Sequence, residues 1–401
     1  MNDVRVGGFV IGGFVCLALV AAACGPSDAA RSPAPSAFPT LAGSPTPSTS
    51  LSMLMPGTLF TMVADDPEMS EFFADRGALV ATTTHSGPAP YRSKLLRASS
   101  PSGPWKVVFE DDARFMVGTV ATGRFGFIEY REEPLSGGAH SETVMVVDFA
   151  SGATTKVDNF ALSAKTFHGG GGGPRGPSWA LALDTDWIAW TRLNELPGGV
   201  REGELRIARL SAVGSFTTIG RSREWIQPIS IDERSLVYIV GGIERDDLRI
   251  RDLATGSERS LTQMLAPTQS AGRGAVARSG AWVGWIDTPP MNGAPDAKPN
   301  SAKTAIFRAV NVETGELRER VLATSSCNAQ FSGNGGYFAW DCRAGPGVTM
   351  RVFDPNSWSE RDLVTPAPGV GMSTVAVEGG FLLLGGEVGV RRIALFTLAP
   401  P

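Results

Sequence analysis

Leu236-Val237-Tyr238-Ile239, followed by Leu248-Arg249-Ile250-Arg251-Asp252-Leu253-Ala254-Thr255-Gly256, is the passage whose reading decides the fold. A short apolar strand is followed by a second strand and then by a turn that opens on Asp and closes on Thr-Gly. The same rhythm stands upstream as Trp187-Ile188-Ala189-Trp190 and Leu205-Arg206-Ile207-Ala208-Arg209. It stands downstream as Trp282-Val283-Gly284-Trp285, then Ile306 to Val310 and Asn311-Val312-Glu313-Thr314-Gly315. Short strands that return about every fifty residues are the mark of radially repeated sheets, a β-propeller.

Working outward, the second strand of each unit begins near Leu79, Phe125, Trp187, Leu236, Trp282, Tyr337 and Phe381. We call the four strands of a unit A to D, from the innermost outward. The expectation is an all-β chain of seven four-stranded blades. Six or eight stay open, because an A strand for the first unit is hard to see between Pro67 and Arg76. The last unit has A, B and C (Arg392 to Leu398) and then no outer strand, while Thr58 to Val63 is a strand without a partner. The economical arrangement lets that N-terminal strand complete the last blade, which removes the open edges.

Two recurrent residue types have structural explanations. An Asp or Asn that opens a turn accepts hydrogen bonds from the backbone ahead of it, and Gly takes the positive-φ position. The turn acids are therefore not read as catalytic. Trp187, Trp190, Trp282, Trp285 and Trp340 stand at repeat-locked positions, as residues that pack blade on blade do.

Residues 1–23 read as a signal peptide, with Arg5, an apolar run from Val6 to Val20, and then Ala21-Ala22-Ala23-Cys24. The three small residues before Cys24 resemble a bacterial lipobox. The resemblance implies diacylglycerol on the Cys24 sulfur, cleavage before it, and acylation of the new N-terminus, so that the membrane is a partner through this lipid. Residues 24–55, rich in Pro, Ser and Thr, cannot bury enough apolar surface to order themselves and read as a disordered tether. The propeller is then 56–401, and the address is the extracytoplasmic side of the cell envelope.

Cys16 leaves with the signal. Cys327 and Cys342 flank Asn334-Gly335, a strong hairpin signal, and a turn centred there sets the two directly opposite each other. A disulfide is expected outside the cytosol. A hydrogen-bonded pair is an uncomfortable site for one, so a bulge is also expected, and two free buried thiols remain the alternative. The net charge of −4, together with export, argues against nucleic acid as a partner.

The repeated strand–turn–strand pattern with Leu-Arg-Φ-x-Asp-Leu-x-Thr-Gly over about 58–400 resembles the TolB-like, WD-repeat-like propellers of bacterial envelopes. The A–B turns Leu183-Asp184-Thr185-Asp186, Ile231-Asp232-Glu233-Arg234 and Ser332-Gly333-Asn334-Gly335 stand where that family carries Ser-Pro-Asp-Gly. The resemblance implies non-enzymatic protein binding, and it carries no particular binding residue across.

Function is expected on the face of the D–A and B–C loops, since the A–B and C–D turns are uniformly tight. The long segments 84–91, 131–142, 163–177, 192–204 and 287–303 all fall on that face. Its candidates are His85, His140, His168, Glu195, Asp246 and Asp287. Three histidines from adjacent blades are able to ligate zinc or copper, but their spacing matches no ligand motif, so no metal and no cofactor is assigned. His168 to Pro174 lacks the helix and the Lys-Ser/Thr of a phosphate loop. Without a Gly-x-Ser-x-Gly elbow, and with the chain stopping after its last strand, no attached hydrolase domain is expected.

The resulting reading is a lipid-anchored module that binds an envelope protein, peptide or glycan. The alternative is an envelope enzyme, either a glycan hydrolase or lyase or a metal- or quinone-dependent oxidoreductase. Its site would lie at the mouth of the central channel, with acids such as Glu195, Asp246 and Asp287 converging there. A structural or sensory module is the third reading.

Overall fold

The structure is a computed structural model. It describes residues 61–65, 69–75, 78–84, 92–100, 103–132, 140–162, 180–197, 200–241, 246–263, 276–287, 306–322, 327–334, 336–344, 347–364, 374–378, 381–385 and 392–397. The fold is an all-β propeller of four-stranded antiparallel blades.

Strand β1 (Thr61–Asp65) enters first and is used last. One sheet follows in order: β2 (Met69–Asp75), β3 (Ala78–Thr84), β4 (Ser93–Ala98) and β5 (Lys106–Asp111). The next is β6 (Arg114–Ala121), β7 (Arg124–Glu132), β8 (His140–Asp148) and β9 (Thr154–Leu162). Then come β10 (Leu181–Leu183), β11 (Trp187–Leu196), β12 (Val200–Arg209) and β13 (Thr217–Ser222). The fourth is β14 (Ile226–Ile231), β15 (Ser235–Val240), β16 (Asp247–Asp252) and β17 (Glu258–Ser260). The fifth is β18 (Val276–Ser279), β19 (Trp282–Asp287), β20 (Ile306–Asn311) and β21 (Leu317–Val321). The sixth is β22 (Cys327–Asn334), β23 (Tyr337–Ala344), β24 (Gly347–Asp354) and β25 (Ser359–Val364). In the last sheet β26 (Thr374–Glu378), β27 (Phe381–Gly385) and β28 (Arg392–Thr397) are joined by β1, which runs antiparallel to β28 with Thr61 opposite Leu395. The first strands of the sheets touch in the cyclic order β2, β6, β10, β14, β18, β22, β26 and back to β2.

The second strands begin within one residue of the sequence reading, and those whose side chains are described are largely buried on both faces. Ser235 to Ile239, for example, is a continuous buried run. The first strand of the first sheet, hidden in the sequence, is β2. A bulge between Met69 and Glu71 breaks its two-residue alternation. The core lies between sheets. Val237, Ile239 and Leu248 of one blade pack against Val283, Trp285 and Val310 of the next. Trp282 and Phe307 pack against Phe338, Trp340 and Phe353 in the same way. Trp190, Trp285 and Trp340 are fully buried, so the repeat-locked tryptophans are packing residues. Gly333 approaches the Phe338 ring so closely that a Cβ would lie 2.5 Å from a ring carbon.

The turn acids also behave as read. Asp252 Oδ1 accepts the N–H groups of Ala254 (3.0 Å) and Thr255 (2.7 Å), and Gly256 donates to the Asp252 carbonyl at 2.9 Å. Asp148 and Asn311 do the same in their own sheets.

Candidate functional site

Each first strand runs toward its A–B turn, and at that end of the sheets the final residues of six of them surround a cavity of about 620 Å³. Asp75, Thr122, Asp184, Asp232, Arg278 and Asn334 are among its lining, one from each of six successive sheets. The C–D turns lie at the same end. Because β1 runs away from that end as the outer strand of its sheet, its first residue, Thr61, lies there too.

The polar lining is largely locked in place. Asp75 is 6% exposed, and its Oδ2 accepts the Gly123 N–H at 2.8 Å across to the next sheet. Thr122 and Gly123 form a tight hairpin turn with φ of 52° and 80°, an uncommon conformation for a β-branched residue. Thr185 Oγ1 reaches over from the third sheet to Thr122 Oγ1 at 3.1 Å, and Arg124 donates to the Thr185 carbonyl. Asp232 Oδ1 accepts the N–H groups of Arg234 (2.8 Å) and Ser235 (2.6 Å). Its Oδ2 pairs with Arg278 Nη2 at 2.7 Å, and Arg278 Nη1 donates to Ser235 Oγ at 3.0 Å, which latches the fifth sheet to the fourth. Asp184 lends its backbone N–H to the Trp187 carbonyl at 2.9 Å, while its half-buried carboxylate has no partner among the described residues. The hydroxyl oxygen of Ser230, also in the lining, is buried and without a hydrogen-bond partner among the described residues. Three carboxylates against one guanidinium leave the lining net negative. No group of three or more His, Cys, Asp and Glu side chains among the described residues is placed to hold a metal ion.

Of the residues singled out in sequence, those described are not among this lining. His85 and His168 fall outside the described residues. His140 is not in a loop. It is the first residue of β8, opposite Glu132 and Leu162. Glu195 also sits in a strand, exposed near the end of β11 and opposite Arg201. Segment 192–204 is thus mostly a paired hairpin, because the β11–β12 ladder continues to Leu196 and Val200. Asp246 is buried at 3% exposure and accepts the Trp225 indole N–H at 3.1 Å, a structural contact. Asp287 ends β19, opposite Ile306. Cys24 lies outside the described residues.

Cys327 and Cys342 are directly opposite in β22 and β23, by a route other than the expected one. The hairpin turns one residue later, with Asn334 opposite Tyr337, and a bulge between Asn328 and Phe331 restores the pairing. The side chains of both cysteines are outside those described.

Sequence reasoning passed over Asp75, Ser230 and Arg278. The available signal was the A–B turn position itself, where Asp184, Asp232 and Asn334 recur. A repeat-locked Asp is also what an ordinary turn requires, so the pattern alone did not mark a cavity.

No family model and no curated protein matches the chain. Among solved structures, an oligogalacturonate lyase in complex with manganese aligns with a TM-score of 0.53 at 12% identity, covering 85% of this chain and 96% of that one. The acylaminoacyl peptidase of Pyrococcus horikoshii aligns with a TM-score of 0.54 at 12% identity over 82% of this chain, which spans about half (51%) of the peptidase. TolB from Acinetobacter baumannii is 13% identical over 73% of this chain and 64% of its own length, with a TM-score of 0.42. At these identities the likeness shows the fold alone.

Proposed function

We propose that this chain is a lipid-anchored, extracytoplasmic binding module, non-enzymatic, whose ring of seven blades is closed by β1. It takes part of an envelope protein, peptide or glycan into the turn-end cavity. The observation that carries this reading is the cavity, a concave volume of about 620 Å³ built from the ends of six first strands, within the range of ordinary ligand sites. A site assembled from several rigid strands is preorganised, so little ordering is lost on binding. The sequence up to Cys24 supports the anchor. Thr61 starts β1 at the cavity end.

The test is capture of partners from the envelope fraction by the full chain and two variants. Asp184→Trp obstructs the cavity and should abolish capture. Glu195→Lys alters the other end and should leave it intact. The reverse pattern would move the site to the loop face and overturn the proposal. For the anchor, Cys24→Ser should shift the protein from the membrane to the soluble fraction, and processed protein that stays on the membrane would refute lipidation. For the opposed cysteines, the unreduced intact mass should lie about two hydrogens below the reduced mass, and equal masses would rule out the bridge.

A further inference from the structure

The charge and hydrogen-bond inventory of the cavity narrows the chemistry of what it takes, given that it is the binding site. Arg278 is the one cation among the named lining residues, and it is already spent on Asp232 and Ser235. An anionic ligand would therefore meet no free positive group there and would face Asp75 and Asp184. Asp75 has one carboxylate oxygen engaged, by the Gly123 N–H, and the Asp184 carboxylate has no partner among the described residues. Ser230 adds a buried hydroxyl oxygen without a partner among the described residues. Buried polar groups left unmade are costly, so this wall favours a guest that supplies donors.

A bare divalent cation is a poor candidate for that guest. It needs several oxygens drawn in to about 2–2.6 Å, and no such convergence of His, Cys, Asp and Glu exists among the described residues. The donors must come from something larger that carries its own directed N–H groups. We infer that the cavity binds a protonated amine or guanidinium group, with Asp184 and Asp75 as its acceptors and Ser230 as a supporting hydroxyl. Such a group is carried both by free diamines and by the Lys and Arg side chains of a peptide.

Titration calorimetry on the full chain tests this with four probes: agmatine, the tripeptide Gly-Arg-Gly with its ends acetylated and amidated, its Gly-Gln-Gly counterpart blocked in the same way, and succinate. Agmatine or Gly-Arg-Gly should bind, more weakly at high salt, while Gly-Gln-Gly and succinate should not. Whichever of the first two binds tighter identifies the source of the cation. Asp184→Asn should weaken binding by about tenfold, the loss of one charge-assisted hydrogen bond. It should fold normally, because Asp184 gives the turn only its backbone N–H. Absence of binding by both cations, or equal affinity in Asp184→Asn, would overturn the inference. If Asp184→Trp still abolishes envelope capture in that case, the site stands and only the ligand class falls.

Discussion

At the scale of single residues, the C–D turns show one conformational demand met in two ways. Gly152, Gly256 and Gly315 close their turns with positive φ, whereas the equivalent position after Asp354 is Trp358, at φ 55°. A left-handed non-glycine residue costs roughly 1–2 kcal/mol. Here the side chain is held by edge contacts to Phe353 (4.8 Å between centroids) and by Phe307 and Trp282 at 5.9 and 6.3 Å. Loss of a large aromatic from such a cluster costs roughly 3 kcal/mol or more, so packing outweighs strain. Trp358→Gly should therefore destabilise by about 2 kcal/mol in urea unfolding, and a more stable variant would show that strain dominates. The same turns make the fold acid-sensitive. The Ser151 N–H, foremost among several groups, holds the Asp148 carboxyl below its usual range, and the Thr255 N–H does so for Asp252. A carboxyl whose folded pKa lies below its unfolded value near 4 stabilises the fold above that value. The contribution disappears as pH falls through the folded value. The thermal midpoint should thus hold above about pH 5 and drop below about pH 4. The double variant Asp148→Asn with Asp252→Asn should fold, since Asn311 makes the same turn natively, with a slightly lower neutral-pH midpoint because the charge is gone, and should lose less toward acid. An unchanged acid limb would refute this account.

At the scale of elements, the unit is a cross-strand pair of an aromatic on the second strand and an arginine on the third. Trp190 faces Arg206, Tyr238 faces Arg249, Trp285 faces Arg308 and Trp340 faces Arg351, in four consecutive sheets. Each arginine needs an acid, because a buried guanidinium without a partner is costly. In the third sheet the network is dense. Arg206 Nε pairs with Glu204 at 2.7 Å, and Nη1 reaches Asp158 of the neighbouring sheet at 3.0 Å. Trp190 Nε1 also donates to Asp158, at 2.9 Å. Burial pushes the Glu204 carboxyl up, but the hydrogen bonds from Arg206 and Thr218 win and hold it below its usual range. Arg206→Met should remove the buried guanidinium shared by Glu204 and Asp158, which keep Thr218, Arg221 and Trp190 as partners, and should cost roughly 2–3 kcal/mol, whereas Arg206→Met with Glu204→Met should cost clearly less. Equal losses in the two would mean that the arginine acts only through its stacking on Phe216 at 3.9 Å. The repeat was legible in the sequence because Leu205-Arg206-Ile207 and Leu248-Arg249-Ile250 are local words fixed by one sheet's own pleat. Where a bulge intervenes, as in β2 and in β22 before Phe331, the two-residue period breaks, and the strand or its turn is misplaced by sequence alone.

At the scale of the whole molecule, the cavity was illegible for a different reason. Asp75, Asp184, Asp232 and Arg278 are separated by tens of residues or more; Asp184 and Asp232 sit in turns that have a sufficient local explanation, and Asp75 and Arg278 lie at strand ends whose partners are in neighbouring sheets. Only the cyclic order of the first strands brings them to one end. The last sheet of that order has β1 as its outer strand. Without it, β28 becomes an open edge whose unpaired backbone groups invite pairing with another chain, and the sheet it completes loses its outer strand. Two truncations separate this role from that of the preceding sequence. Removal of residues 1–55 takes away no described strand and should leave the melting midpoint unchanged. Removal of residues 1–65 deletes β1, and the midpoint should fall by roughly 5 °C or more, accompanied by concentration-dependent association in light scattering. If the two truncated chains melt together and both stay monomeric, the β1–β28 ladder contributes nothing to holding the propeller. The stability of the ring would then reside wholly in the packing of one sheet on the next.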